Sequence, residues 1–367
     1  MPSLSTRPNI TFSVHSSPTD FLSVAFEHLS RREERSNIIL ALALEAQEKE
    51  QQTESEASTG NNFWICIWTT RASPQSRATN WSLDFVFALN DNHFGGYPLF
   101  IWSGHPSCDL TPAFIEQRVR LAVVQLYKSI PSQRIFSAFG LVPVVCAFRS
   151  AWTHISGHNP EPAPFYSVKL SYCTNNTLKT APSSLPCSDS IKLAEMEDLD
   201  QVATLCNGLA RDSIYFTLQD DQSNTEALKL IRDRRIWVYR TRDTSGRVRI
   251  ASMVCSSRSS QSVAAITKIY TAAEFRGRQF AKRLMHWVTQ HLLQNEGKDT
   301  VVLYVSHGDP VERVCHQVGY TGLCGAPRPE LVEDWLEIGF QVSPQLSLSN
   351  LLQSNEQTSQ NTIRGHW

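Results

Sequence analysis

A chain of 367 residues holds enough material for about two domains. With 34 Lys and Arg against 35 Asp and Glu, its formal charge is −1, which excludes the long-range positive field of a dedicated nucleic-acid binder. Hydrophobic residues make up 41% and charged ones 19%, too apolar for a disordered chain, yet no apolar run approaches the ~18 residues of a membrane span.

Met1 to Arg7 lacks the apolar stretch of a secretory leader, so the expected location is cytoplasmic. The nine cysteines are odd in number and scattered, with no C-x-x-C pair, so neither a bound metal nor a redox dithiol is expected.

In chain order, Asp20 to Leu44 carries two helical patterns around a polar break at Arg31–Glu34. Residues 45–62 are polar and of low complexity, the composition of a mobile insertion. Phe63–Thr69, Trp81–Leu89 and Pro98–Trp102 have the aromatic and β-branched character of strands. Leu110-Thr111-Pro112 opens a helix through Tyr127, with proline in its first turn. A helix over Val142–Ile155 and an exit strand over Pro164–Tyr172 complete a first half at residues 1–173.

Residues 174–190 are rich in Asn, Thr, Ser and Pro and read as a linker. Beyond them the alternation returns over residues 191–342. Helices are expected at Glu195–Leu209 and Thr225–Arg234, a hairpin at Ile236–Cys255, and strands at Val263–Tyr270 and Val301–Val305. A short helix at Val311–Val318 and a last strand at Trp335–Phe340 follow. The strongest helical signal lies in Arg278–Gln294, where Ala281, Leu284, Met285, Val288 and Leu292 form one apolar stripe. Residues 343–367 form a polar tail of disordered composition.

Chemistry concentrates after the Val263–Tyr270 strand. Arg276-Gly277-Arg278-Gln279-Phe280-Ala281 lead into the long helix, whose start offers unpaired N–H groups and partial positive charge. Glycine lets backbone approach an anion, and two arginines add charge, which are the needs of a pyrophosphate cradle. The absence of a Lys-Ser/Thr pair and of G-x-G-x-x-G excludes the nucleoside-triphosphate and dinucleotide fingerprints.

On these residues the chain resembles the GNAT superfamily of acyl-CoA-dependent N-acetyltransferases, whose signature is Q/R-x-x-G-x-G/A between strand and helix. Arg276 and Ala281 match its ends, and Gln279 stands at the usual glycine. Asp309-Pro310 through Gly319-Tyr320 resembles a later block of the family, with Cys315 at its usual tyrosine. The resemblance covers about Ile191 to Phe340. It implies an α/β (α+β) fold of two GNAT-like domains, each a mixed, mostly antiparallel sheet flanked by helices, the first half being the degenerate one that binds no CoA.

It further implies acetyl-CoA as cosubstrate, held by Ile269, Tyr270, Thr271, Arg276, Gly277, Arg278, Gln279, Phe280, Ala281 and Lys282. Tyr215 and Phe216 fall where the family lines its acceptor pocket. Cys315 or a charged His316 is the candidate acid, while Glu312, His307 and a relayed water are candidate bases. The implied reaction transfers an acetyl group to a primary amine, of a small molecule or a peptide, by direct attack in a ternary complex. A non-catalytic CoA-binding module, and an acyl-CoA decarboxylase or hydrolase on the same scaffold, are the alternatives.

Overall fold

A computed structural model describes residues 9–52, 62–72, 79–92, 94–181, 184–213 and 218–341. Among them the chain divides into two units, one of residues 9–167 with 334–341 and one of residues 168–333.

Unit 1 contains β1 (Asn9–His15), α1 (Pro18–Ser30), α2 (Glu33–Gln52), β2 (Phe63–Ala72), β3 (Thr79–Leu89) and β4 (Leu99–Ser103). It continues through α3 (Pro112–Ser129), β5 (Ser137–Leu141) and α4 (Val142–Ser156). The polar run from Glu45, expected to be mobile, begins as the last turns of α2, and residues 53–61 lie outside the described residues. Strand β1 has no counterpart among the expected elements. Its residues Asn9–His15 pair antiparallel with Trp64–Thr70 of β2.

Unit 2 begins within β6 (Tyr166–Thr174). It then runs through β7 (Ser190–Leu193), α5 (Leu199–Asp212), α6 (Asp220–Arg232), β8 (Ile236–Arg242) and β9 (Val248–Ser259). After these come β10 (Val263–Thr271), α7 (Phe280–Gln294), β11 (Thr300–Ser306) and α8 (Pro310–Val318). The final strand, β12 (Asp334–Gly339), returns to unit 1.

The strands of the two units repeat one plan. Unit 1 has the order β1-β2-β3-β4-β5-β12, and every neighbouring pair is antiparallel except the parallel β4–β5. Unit 2 has the order β7-β8-β9-β10-β11-β6, with β10–β11 the parallel pair. The strand set of each unit is therefore mixed and mostly antiparallel, flanked by helices, as the resemblance implied.

The last strands are exchanged along the sequence. The segment 164–172, expected to finish the first half, pairs with β11 from Val168 on. The segment 335–340, expected to finish the second half, pairs with β5. In β12 the carboxylate of Glu337 accepts the Ser137 hydroxyl at 2.7 Å, and Trp335 packs on Phe139 with ring centroids 5.2 Å apart.

The described part of the stretch 174–190, expected as a linker, is packed within unit 2. Leu178 and Leu185 lie on the α7 core, the Lys179 N–H donates to the Val318 carbonyl, and His286 Nε2 donates to the Lys179 carbonyl at 2.8 Å. Gly319 permits this approach, since a Cβ there would lie 2.2 Å from the Thr177 carbonyl oxygen. Helix α7 supplies the largest share of the core, burying Leu284, Met285, Val288 and Leu292 against the sheet. Each such side chain contributes up to ~2–3 kcal/mol of transfer free energy. No helix among the described residues is long and apolar enough to cross a membrane.

Candidate functional site

The site forms where two parallel strands part. In unit 2, β10 and β11 pair only from Val263–Thr300 to Ile266–Leu303, so Thr267–Thr271 diverge from β11. On its other side β10 stays paired with β9 as far as Thr271–Ser252. The Ala272 N–H donates to the Ala251 carbonyl at 3.0 Å, which fixes the alternation. The N–H and C=O of Thr271 and Ile269 then point away from β9, into the gap that β11 leaves.

The turn that follows is pinned at both ends. Phe275 and Phe280 are buried with ring centroids 6.2 Å apart, and Phe280 stacks on Tyr239 at 4.5 Å. Between them Arg276, Gly277, Arg278 and Gln279 are all exposed. Gly277 (φ +78°) and Gln279 (φ +62°) both adopt the left-handed conformation. A Cβ on Gly277 would meet nothing within 4 Å, so the turn borders open space.

Gln279 is the N-cap of α7, and its side chain makes no cap bond. The first N–H groups of a helix have no partner in a preceding turn, so this start presents donors and positive potential. No acidic residue occupies the first turn of α7 to offset it. Arg278 lies over the Phe280 ring at 5.1 Å, and neither it nor Lys282 has a carboxylate within ion-pair distance among the described residues. Where the resemblance puts glycine, this chain holds glutamine in the left-handed conformation, at a strain of about 1–2 kcal/mol.

Arg276 is engaged elsewhere. Its Nη2 lies 2.7 Å from Asp212 Oδ2, its Nε donates to the Thr271 carbonyl at 3.1 Å, and its guanidinium sits 5.4 Å from the Tyr270 ring. Ile269 packs with the α7 core, whereas Tyr270 packs with the core beneath α5 and α6, so the strand divides these neighbours between its two faces.

The three candidate catalytic residues lie on α8 with different surroundings. Cys315 is fully buried, and burial pushes its thiol far above the ordinary range. Glu312 meets Lys169 at 2.7 Å and accepts the Cys324 N–H at 2.9 Å. The Lys169 bond, then the Cys324 backbone bond, hold its carboxyl at about 2. A carboxylate so stabilised is a poor proton acceptor. His316 is half-buried, with Nδ1 lacking a hydrogen-bond partner, and its own carbonyl takes the Lys179 ammonium at 2.6 Å. Tyr215 and Phe216 lie outside the described residues.

Unit 1 contains the same strand–turn–helix with other side chains. The Gly104 N–H donates to the Asp84 carbonyl at 2.9 Å, the counterpart of Ala272 to Ala251. From that point the chain takes as many residues to reach Thr111 as unit 2 takes to reach Gln279. Here Thr111 caps its own helix by accepting the Phe114 N–H at 3.3 Å, Pro112 removes one donor, and Asp109 adds a negative charge. Those three features turn the helix start away from anions.

Beside it lies a buried cluster that the sequence reading missed. Arg118 Nε meets Asp84 Oδ2 at 2.6 Å, Arg118 Nη2 donates to Thr69 Oγ1 at 2.6 Å, and His105 Nε2 lies 3.0 Å from Asp84 Oδ1. Burial acts to raise the Asp84 carboxyl, but bonds from His105, Thr69 and Arg118 outweigh it and hold the group below its ordinary value. The available signal was one Asp within an aromatic, β-branched strand, where an acid persists only with partners. Lys169 in β6 is a misfit of the same kind.

The comparisons with known proteins fall on unit 2 and on the overall plan. Residues 202–320 match the model of the acetyltransferase (GNAT) family. None of the curated proteins matches the sequence significantly. Among solved structures, a GCN5-related N-acetyltransferase from Sphaerobacter thermophilus is 11% identical, covers 89% of this chain and 94% of its own, and has a TM-score of 0.51. A Drosophila protein is 12% identical over 90% of this chain and 97% of its own, with a TM-score of 0.53. At such identities the likeness is one of fold.

Proposed function

Residues 202–320 form a domain of the acetyltransferase (GNAT) family, and on that premise we propose that unit 2 transfers an acetyl group from acetyl-CoA to a primary amine. The observation that carries this is the junction of the parted β10 with the open, acid-free start of α7. Both halves of such a donor have a matching partner here. The outward N–H groups of Ile269 and Thr271 suit the amide-bearing arm and the thioester carbonyl, and the first turn of α7 with Gly277, Arg278 and Lys282 suits the pyrophosphate. Gln279 fits because its left-handed backbone keeps the turn and its side chain is exposed.

Acetyl-CoA supplies an activated acyl carbonyl when bound. The chain's own contribution is to hold that carbonyl against the N–H of Ile269 or Thr271, so that charge developing on its oxygen meets a fixed donor. Positioning donor and amine together in one ternary complex supplies the entropic part of the acceleration. A buried Cys315 leaves His316 as the candidate acid for the departing thiolate, and an ion-paired Glu312 leaves His307 or a relayed water as the candidate base for the amine. That same arrangement favours a second reading, in which unit 2 binds CoA without turnover. Cytoplasmic location and a small-molecule or peptide acceptor belong to the first reading.

Calorimetric titration of the full chain with acetyl-CoA tests both. Binding with release of free thiol over a panel of amines is the expected result. Binding without thiol release selects the non-catalytic module, and no binding at high micromolar acetyl-CoA overturns the donor assignment. Thiol release without amine would point instead to hydrolysis.

A further inference from the structure

We propose that Arg276 is a positioning residue, which clamps the C-terminal end of α5 to the end of the donor strand and does not hold the pyrophosphate. The proposal deepens the transferase reading and rests on it for the identity of the donor strand.

The three partners of Arg276 are a carboxylate, a backbone carbonyl and a ring, and none of them belongs to α7. Asp212, met at 2.7 Å, is the last residue of α5, and Thr271, whose carbonyl takes Nε at 3.1 Å, is the last residue of β10. Tyr270, under the guanidinium at 5.4 Å, presses against the same helix: a Cβ on Gly208 of α5 would lie 2.6 Å from its hydroxyl oxygen. Glycine at 208 thus lets the ring seat against α5, and Arg276 closes over it toward Asp212. Tyr270 belongs to the α5 side of the sheet, while α7 and its free N–H groups belong to the other. A guanidinium committed to Asp212 and Tyr270 faces the α5 side. Arg278 and Lys282, without carboxylate partners among the described residues, remain for the anion.

The clamp also has a consequence for the acyl end. Thr271 offers an outward N–H to the donor, and its carbonyl is held by Arg276, so the same peptide segment fixes both the strand end and the helix that flanks it. Movement of α5 would then shift the wall beside the reacting carbonyl without touching the phosphate site.

The test uses the full chain with two readouts, amide hydrogen exchange over residues 199–213 and calorimetric affinity for acetyl-CoA. Arg276→Ala and Asp212→Asn should each speed exchange in the last turn of α5 at least about fivefold and leave acetyl-CoA affinity within about twofold. Arg276→Lys, which keeps the charge but not the planar fork, should restore part of the protection, and the exchanged pair Arg276→Asp with Asp212→Arg should restore more than either single change. Unchanged exchange in both single variants overturns the proposal. So does a tenfold loss of acetyl-CoA affinity in Arg276→Ala that Asp212→Asn does not share. Should the wild-type chain bind no acetyl-CoA, the transferase reading fails, and exchange alone still decides the clamp.

Discussion

Replacing Lys169 by Met separates a structural Glu312 from a catalytic one. Lys169 Nζ and Glu312 Oε1 are 2.7 Å apart, and the two side chains are only 10% and 12% exposed, so water screens the pair weakly. The Lys169 bond and the Cys324 N–H together take the carboxyl from an ordinary 4.5 to about 2. That fall corresponds to at most ~3 kcal/mol of stabilisation at neutral pH. The backbone donors survive the substitution and retain part of it, so Lys169→Met should cost about 2 kcal/mol at pH 7. Because the folded-state value lies below the unfolded one, this stability is complete above pH ~4.5 and is lost as pH falls toward 2. Urea unfolding of wild type and variant should show nearly the same gap at pH 7 and 4.5 and a smaller one at pH 3. A gap that stays constant down to pH 3, or one below about 0.5 kcal/mol at pH 7, would refute the reasoning. Glu312→Gln should keep thiol release near the wild-type rate at a temperature where both proteins are folded.

Three further outcomes follow from the same geometry. In unit 1, Arg118→Leu should cost about 3–5 kcal/mol by stranding the buried Asp84, and Asp84→Asn added to it should recover part of the loss in urea unfolding. In unit 2, Arg278→Ala and Lys282→Ala should each weaken acetyl-CoA binding about tenfold, more at low salt than at high, with melting temperatures nearly unchanged. Cys315→Ala should lower stability by about 1–2 kcal/mol through the lost sulfur packing and keep the thiol-release rate; a rate collapse in a folded variant would restore Cys315 as an acid.

What the sequence made legible is local. The stripe from Leu284 to Leu292 announced α7, because one buried face repeats every 3.6 residues, and the structure starts the helix at Phe280, two residues after the expected Arg278. Helix α6 begins at Asp220, five residues earlier than expected. Its start is set by a backbone–side-chain exchange between Gln219 and Gln222, which carries no hydrophobic period. The open turn before α7 was readable from Gly277 and its flanking arginines, but the engagement of Arg276 was not. Its partner Asp212 lies far away in sequence, and no spacing rule links the end of one helix to a turn so much later. The exchange of β6 and β12 was invisible for the same reason. Alternation identifies a strand and its buried face, while the choice of partner strand depends on where the chain travels. Of the catalytic candidates, alignment to the family block supplied positions and could not supply environment, so Cys315 and Glu312 looked available until their burial and pairing were known.

The return of β12 to unit 1 bears on how the protein is made. A ribosome delivers residues 9–167 long before Asp334–Gly339, and until then β5 lacks the neighbour that Ser137, Phe139 and Leu141 register against. An uncovered strand edge of that kind is a site for mispairing with another nascent chain. Closing it late joins segments far apart in sequence, which slows folding of the first half to the pace of the second. Cutting the chain in the 174–190 stretch would therefore not release two finished pieces. The first fragment would keep β6 without β11, the second β12 without β5, and co-expression of the two fragments should rescue yield that neither attains alone.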